Sequence, residues 1–136
     1  MARAFLQIMI AQKKGHIINI GSVAGQWVYE NGNVYCATKF AVRGLTESLR
    51  TDLLGTDIRV SLISPGMVET EFSKVRYHGD DARAKSVYQG LQPLSGEDIA
   101  DTIHFAASAP KHVNISEIIV MPVAQATAML TNRKNN

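Results

Sequence analysis

The sequence lacks several features that mark specialised protein classes. It contains one cysteine, Cys36, so an internal disulfide is impossible and a reducing, cytoplasmic location is expected. No apolar run approaches the length of a membrane span, and the start has no clear signal-peptide pattern, so we expect no membrane association. The net charge of +2 is small and scattered, which argues against nucleic acid as a partner.

The residues that are present predict an α/β fold. With 136 residues and 46% apolar side chains, the chain is large enough to bury one core. Hydrophobic periodicity predicts three helices and three short strands in alternation, which favours a parallel sheet with right-handed crossovers. The predicted helices cover 2–13, 34–54 and 95–108, and the predicted strands cover 17–20, 58–64 and 116–123.

Two segments do not follow this alternation. Residues 67–94 have a mixed, polar pattern, and so long a segment in a compact chain is more often a functional lid than a plain connector. Residues 131–136 form a polar, basic end that we predict to be a disordered tail. With no repeat and no internal linker, the chain reads as one unit over 1–136.

The stretch "NVYCATKFAVRGLTESLR" places Tyr35 four residues before Lys39, so on a helix their side chains share one face. An ammonium beside a phenol and the first turn of a helix both favour the phenolate, which predicts a Tyr35 pKa below the usual value of about 10. A phenol tuned in this way suits acid/base chemistry. A single Tyr-x-x-x-Lys spacing is common by chance, so the pair alone is weak evidence.

A serine strengthens the hypothesis. Ser22 ends the first predicted strand, thirteen residues before Tyr35 (35 − 22 = 13). Ligands of parallel sheets gather beyond the carboxyl ends of the strands, and Pro65 with Gly66 follows the next strand. A hydroxyl at this edge can hydrogen-bond a substrate oxygen while Tyr35 exchanges its proton.

These segments resemble a known family, the short-chain dehydrogenases/reductases. "NIGSVAG", "YCATK" and "IRVSLISPGMVETEF" are similar to its catalytic serine strand, its Tyr-x-x-x-Lys helix and its Pro-Gly cofactor turn. "SPGMVETEFSKVRYHGDDARAKSVYQG" and "HVNISEIIVMP" resemble the branch of NADP-dependent dehydrogenases that oxidise L-serine, L-allo-threonine and related 3-hydroxy acids. The resemblance covers nearly the whole chain.

The resemblance implies a role for each catalytic residue. Tyr35 would take the hydroxyl proton as hydride leaves the carbon. Lys39 would lower the pKa of Tyr35 and hold the nicotinamide ribose. Ser22 would orient the substrate hydroxyl and stabilise the developing carbonyl oxygen.

The resemblance also implies a cofactor and where it binds. Pro65, Gly66 and Val68 would lie along the nicotinamide, and Thr70 would reach a phosphate. The preference for NADP comes from the resemblance alone, and NAD is not excluded. The cofactor would carry out the hydride chemistry while the protein supplies position and electrostatics.

Two features that the family has are missing from this sequence: a glycine-rich turn and a catalytic asparagine. None of its 10 glycines form G-x-x-x-G-x-G or G-x-G-x-x-G spacing, and the family's catalytic asparagine has no counterpart. The expected fold is therefore the C-terminal half of a Rossmann-like doubly wound parallel sheet, three strands with flanking helices, without the N-terminal glycine-rich βαβ unit. The first strand should then have one unpaired edge and the fold should be prone to association.

Four smaller signals complete the prediction. Arg76 could pair with a substrate carboxylate, with a solvated loop arginine equally expected. Tyr29 and Trp27 could line the substrate pocket, although a role in packing is the better interpretation. The four histidines have no metal-ligand spacing, so we expect no metal. Cys36 is expected to be a buried structural thiol.

Two functional hypotheses follow. The first is an NADP-dependent oxidoreductase for a small hydroxy-acid substrate, with a 3-oxoacyl or sugar-alcohol reductase as its nearest rival and a homo-oligomer, dimer or tetramer, as its implied state. The second is a non-catalytic truncated fragment that acts only by associating with a complementary or full-length subunit. Intact Ser22, Tyr35 and Lys39 favour the first, and the missing glycine loop favours the second.

Overall fold

The computed structural model of the protein describes residues 2–134 and has alternating strands and helices. The strands are β1 (Gly15–Ile20), β2 (Ile58–Pro65) and β3 (Glu117–Val120), and the helices are α1 (Ala2–Gln12), α2 (Asn33–Asp52), α3 (Phe72–Arg76), α4 (Asp81–Ser86) and α5 (Gly96–Ser108). A 3₁₀ turn, Val23–Gly25, follows β1 directly. No helix between residues 2 and 134 is both long enough and apolar enough to cross a membrane.

The three strands form one parallel sheet in the order β1-β2-β3. In its register Ile18 pairs with Ser61 on β2, and Ile63 of β2 pairs with Ile118 of β3. The predicted α/β class and the parallel sheet are confirmed. The third strand is shorter than the predicted 116–123, because the chain leaves the sheet at Met121-Pro122 and proline cannot donate to the ladder.

Helices cover both faces of the sheet. On one face a core forms around Leu53, Ile58 and Val60, and residues of α1 and α2 pack against it. Side chains alternate along a strand, so Arg59 points to the opposite face. There its guanidinium donates to the carbonyls of Ala107 and Ala109 at the end of α5. This two-sided cover is the doubly wound arrangement that the sequence predicts.

The segment 67–94 contains two short helices, α3 and α4, which the polar pattern did not reveal. Its ends are tied together, since Leu94 N donates to the Met67 carbonyl at 2.9 Å and Glu69 N donates to the Leu94 carbonyl at 2.8 Å. The helix α5 that follows begins with a capping box formed by Ser95 and Asp98. The segment therefore forms a long loop after the carboxyl end of β2, and the two ends of this loop are hydrogen-bonded to each other.

The predicted disordered tail requires correction for residues 131–134. Thr131 forms a bridge with Gln125, Asn132 N donates to the Ala124 carbonyl at 2.8 Å, and Lys134 N donates to the Gly90 carbonyl at 2.8 Å. These backbone bonds, which composition does not predict, hold the chain end against segment 67–94, which we call the lid. Residues 135 and 136 lie outside the described part.

Candidate active site

The end of β1 positions a serine hydroxyl. Gly21 N donates to the Ile63 carbonyl at 2.7 Å, which keeps the chain beside β2 for one residue beyond the strand. Ser22 then caps the 3₁₀ turn, and its Oγ accepts from Ala24 N at 3.1 Å. Because the cap uses only the acceptor side of the hydroxyl, its proton remains available to another group.

The first turns of α2 bring two more predicted residues to the serine. Tyr35 is half-buried, has the Ser22 side chain near enough to lower its pKa, and packs against the Phe72 ring with the centroids 5.4 Å apart. Lys39 Nζ lies 5.7 Å from the centre of the Tyr35 ring and donates to the Ile20 carbonyl at 3.3 Å. Ser22, Tyr35 and Lys39 therefore meet at the carboxyl end of β1, as the spacing predicts.

The predicted lowering of the Tyr35 pKa is wrong for this structure. Burial raises the pKa of Tyr35 above its usual value, while the Ser22 side chain and the charge of Arg76 lower it by less. Burial also lowers the pKa of Lys39, whose ammonium bonds to a backbone carbonyl rather than to the phenol. Helical spacing predicted the neighbours correctly but not the desolvation, which is set by tertiary packing.

The carboxyl end of β2 forms a fixed turn next to this group. Gly66 N donates to the Val120 carbonyl at 2.8 Å, and Met67 N donates to Gln125 Oε1 at 2.8 Å. Gly66 is required here, since a Cβ on it would lie 2.3 Å from Gln125 Oε1. The Val68 carbonyl accepts from the Tyr88 hydroxyl at 2.9 Å. Strand, lid and chain end together define this turn.

Gln125 and Tyr88 were not among the predicted site residues. Gln125 is buried, with only 6% of its surface exposed, and its amide donates to the Thr127 carbonyl at 2.9 Å. A single glutamine in an otherwise small, apolar stretch was the available signal, because such a side chain needs backbone partners when buried. Nothing in the spacing marked Tyr88.

The predicted residues line one cleft of about 880 Å³ between the sheet edge, the loop after β1 and the lid. The eight predicted residues that line it are Ser22, Tyr35, Lys39, Pro65, Gly66, Val68, Thr70 and Arg76. Catalytic, cofactor and substrate candidates therefore share one space.

Arg76 lies at the end of α3 on the lid side of the cleft. Its guanidinium donates to the Tyr29 hydroxyl at 3.2 Å and lies 5.8 Å from the Tyr29 ring centre and 5.9 Å from that of Tyr77. Within residues 2–134 it makes no ion pair, in contrast to Lys74, which pairs with Glu71. Tyr29 thus lines the cleft and contacts the arginine, whereas Trp27 is not among the residues that line it.

Two further predictions concern cysteine and metal. Cys36 is buried, with 2% of its surface exposed, and follows Tyr35 on α2 without facing the cleft. In the described part of the chain, no three His, Cys, Asp or Glu side chains are grouped as metal ligands would be.

Comparison with known proteins agrees with this geometry. Residues 1–81 match the short chain dehydrogenase family. The NADP-dependent 3-hydroxy acid dehydrogenase YdfG of Salmonella typhi is 50% identical over 132 residues, covering 96% of this chain and 53% of that protein. The NADP-dependent 3-hydroxy acid dehydrogenase of Schizosaccharomyces pombe is 45% identical over 134 residues, covering 98% of this chain and 52% of its own.

Solved structures give the same result. The closed form of a serine dehydrogenase complexed with NADP+ superposes with a TM-score of 0.92 at 48% identity, covering 99% of this chain and 55% of that one. Serine dehydrogenase from Escherichia coli superposes with a TM-score of 0.75 at 41% identity, covering 93% of this chain and 48% of that one. The chain spans about half the length of the curated relatives it matches. With its strand, helix and turn motifs in one cleft, the chain belongs to the short chain dehydrogenase family.

Proposed function

We propose that this chain provides the catalytic half of an NADP-dependent oxidoreductase that oxidises a small 3-hydroxy acid or hydroxy amino acid, such as L-serine or L-allo-threonine. The observation that carries the proposal is the meeting of Ser22, Tyr35 and Lys39 in a cleft that is also lined by Arg76, which makes no ion pair within residues 2–134. The names of the relatives, 3-hydroxy acid dehydrogenase and serine dehydrogenase, support the substrate class.

The proton transfer is assigned to Tyr35. In the oxidation direction the phenolate oxygen accepts the proton of the substrate hydroxyl while the Ser22 hydroxyl donates to the same substrate oxygen. Burial raises the pKa of Tyr35 and opposes this ionisation. Stabilisation of the phenolate therefore depends on the Ser22 side chain, the Arg76 charge and the nearby Lys39 ammonium.

The cleft fits the nicotinamide end of the cofactor. The turn of Pro65, Gly66 and Val68 forms its wall, the Thr70 side chain is exposed at its rim, and Lys39 Nζ lies in the same cleft. NADP bound there would supply the hydride acceptor. The sequence contains no glycine-rich phosphate turn, so these residues would hold only the nicotinamide side, and the choice of NADP over NAD rests on the relatives.

The substrate carboxylate is assigned to Arg76. A guanidinium binds a carboxylate through two parallel hydrogen bonds, and this one already bonds a neutral phenol that a carboxylate can replace or join. Arg76 and Tyr35 line the same cleft, which supports the binding of one small molecule by both groups.

A second candidate function is supported by a separate observation. Among the described residues β1 pairs on one side only, and Ile20 at its end is 45% exposed. Unpaired edges and exposed apolar residues favour association. We propose that the isolated chain has little turnover and works with a complementary or full-length subunit, in a dimer or tetramer. A cytoplasmic location remains a prediction from the single cysteine.

The decisive experiment follows the absorbance of reduced nicotinamide with NADP and L-serine or L-allo-threonine. The chain is assayed alone and together with the first half of the Escherichia coli relative expressed as a separate polypeptide. We expect turnover only in the mixture, and a fall of about 100-fold or more in Tyr35→Phe. Turnover that survives Tyr35→Phe would refute the catalytic assignment, and turnover by the chain alone would refute the need for a complement.

Substrate class is tested with Arg76→Gln in the same mixture. We expect the KM for L-serine to rise about tenfold or more while the KM for NADP stays within about twofold, because the lost charge pairs with the substrate carboxylate and not with the cofactor. We also expect kcat to fall, since the same charge lowers the pKa of Tyr35. Arg83→Gln is the matched control, since Arg83 is also a cleft arginine but stacks on the Tyr77 ring at 4.5 Å. Equal losses in both variants would contradict a specific role for Arg76.

A further inference from the structure

A polar cluster lies behind the candidate site, and it takes no part in the proposed proton transfer, cofactor binding or substrate binding. Its centre is Glu117 at the start of β3, whose Oε1 accepts hydrogen bonds from Gln26 Nε2 and from Ser64 Oγ, the latter at 2.9 Å. Its Oε2 lies 3.7 Å from Arg43 Nε of α2. One carboxylate therefore contacts the loop after β1, the end of β2 and helix α2; we call these four residues the Glu117 cluster.

The partners of this carboxylate belong to the elements that carry the predicted catalytic side chains. Gln26 closes the 3₁₀ turn that Ser22 begins, with its backbone N donating to the Val23 carbonyl at 2.9 Å. Arg43 lies one helical turn after Lys39 on the helix that also carries the catalytic tyrosine. The carboxylate thus joins, from the far side, the two elements whose hydroxyls must meet in the cleft.

Stability alone is a weak explanation for the cluster. Ser64 is 1% exposed, and the Glu117 side chain is 22% exposed, so the charge is largely removed from water. Burying a carboxylate costs free energy that its partners offset only when they are well placed. The strand β3 is already held by its ladder with β2, which does not need this side chain. What Glu117 adds is a fixed distance between the turn and the helix.

We propose that Glu117 is a positioning residue that acts through Gln26 and Arg43 to hold the Ser22 turn against α2, so that the serine hydroxyl and the Tyr35 phenol stay together in the cleft. The inference rests on the proposed function for its catalytic meaning, but its structural part concerns the turn alone. The two parts are tested by different measurements.

The structural part is tested with the single tryptophan of the chain, Trp27, which directly follows Gln26 and is 36% exposed. In Glu117→Ala the turn loses its anchor, and we expect acrylamide quenching of Trp27 fluorescence to increase about twofold. Glu117→Gln retains an oxygen that accepts from both Gln26 and Ser64, and should remain near the wild type.

Glu47→Ala is the matched control for the quenching experiment. It removes the other carboxylate of Arg43, at 3.3 Å, without touching the loop, so Trp27 should be unaffected. Unchanged quenching in Glu117→Ala, or an equal change in Glu47→Ala, would overturn the proposal. This measurement uses the chain as it is and needs neither cofactor nor turnover. Its outcome is therefore independent of whether the proposed function is correct.

The catalytic part is tested in the complemented, active mixture. We expect Glu117→Ala to lower kcat about tenfold with the KM for NADP and for L-serine within about twofold, and Glu117→Gln to restore most of kcat. The pH profile of kcat in the alanine variant should move to higher pH, because moving the Ser22 side chain away from the phenol removes an interaction that lowers the pKa of Tyr35. Gln26→Ala should give the same loss, and the double variant Gln26→Ala/Glu117→Ala should add nothing.

The activity assay also separates positioning from simple support of the fold. A fall in kcat that follows only the fraction of folded protein, with an unmoved pH profile, would overturn positioning. Additive losses in the double variant would overturn the route through Gln26. If the wild-type mixture has no turnover, the proposed function fails while the Trp27 result still decides whether Glu117 holds the turn.

Discussion

Strands β1 and β2 are neighbours in one sheet, run parallel and both end at the candidate site, yet they are buried very differently. Seven of the eight positions of β2 are buried, whereas no residue of β1 is, and Ile20 at its end is 45% exposed. The sequences differ little in apolar character. The difference comes from neighbours, since β2 pairs on both edges and β1 pairs with β2 alone within the described residues.

This comparison shows that the two walls of the cleft depend on different kinds of support. The turn that begins at Pro65 follows a buried strand and is fixed by sheet packing. The turn that begins at Ser22 follows a half-buried strand and depends on individual bonds, such as Lys39 Nζ to the Ile20 carbonyl at 3.3 Å. Changes in β2 should therefore affect the stability of the whole fold, and changes near β1 should affect local geometry.

The largest expected effect is in the centre of β2. Ile63 has no exposed surface, and Ile63→Ala should lower the free energy of unfolding by about 3 kcal/mol through lost burial and a cavity. Ile20→Ala, its register partner on β1, should cost less than about 1 kcal/mol because nearly half of that side chain is already in water. Urea denaturation of both variants, with circular dichroism, measures the two values.

Equal losses at the two positions would show that β1 is as well buried in solution as β2. That result would mean that a second copy of the chain, or another segment, covers the end of β1. Repeating the denaturation at two protein concentrations separates the cases, because association makes the midpoint depend on concentration.

A smaller effect is expected where the half-buried strand meets α2. Thr46 is fully buried; its hydroxyl accepts from Asn19 Nδ2 of β1 at 2.9 Å and donates to the Val42 carbonyl at 2.7 Å. Thr46→Val keeps the shape but leaves the Asn19 amide without this partner, and should cost about 1–2 kcal/mol.

The matched control for Thr46→Val is Thr51→Val, on the same helix. The Thr51 hydroxyl donates to the Glu47 carbonyl at 3.1 Å in an exposed position, where water replaces the bond, so its loss should be below about 0.5 kcal/mol. Chemical denaturation compares the two. A Thr46→Val variant as stable as the control would show that the Asn19–Thr46 bond does not help to hold β1.

The same contrast explains what the sequence could and could not predict. Tyr35 and Lys39 were predictable because helical spacing is local, and Ser22 because a strand end in a parallel sheet has a known place. The Tyr35 pKa was not, since burial by Phe72 and the lid depends on segments distant in sequence. Neither was the ordered chain end at 131–134, which is held by backbone bonds that carry no side-chain signature.

The cofactor turn was predicted only in part, for the same reason. Its Pro65-Gly66 sequence identified it, but Gln125, which accepts from Met67 N, lies 58 residues further along the chain. Glu117 was unpredictable in the same way, since its contact with Gln26 spans 91 residues. Local motifs therefore predicted which side chains meet, while the residues that hold them in place required the fold.

The smallest expected effect concerns pH and a histidine on β1. His16 Nε2 lies 2.7 Å from Ser61 Oγ, and burial together with the charge of Arg59 lowers the pKa of His16 below 6.5. The folded chain then binds fewer protons at this site than the unfolded chain. Its contribution to stability is complete above pH 6.5 and is lost as the pH falls from 6.5 through the lower folded value.

Urea midpoints at pH 7.5 and pH 5.5 test this contribution, with His16→Gln as the variant that can still hydrogen-bond to Ser61 but cannot titrate. The wild type should lose more stability on acidification than the variant, by less than about 1 kcal/mol, because His16 is only partly buried and solvent screens the shift. An equal loss in both proteins would assign the pH dependence to other groups. A difference of several kcal/mol would show that His16 is as fully buried as the side chains of β2, and the contrast between the two strands would then be confined to the exposed end of β1.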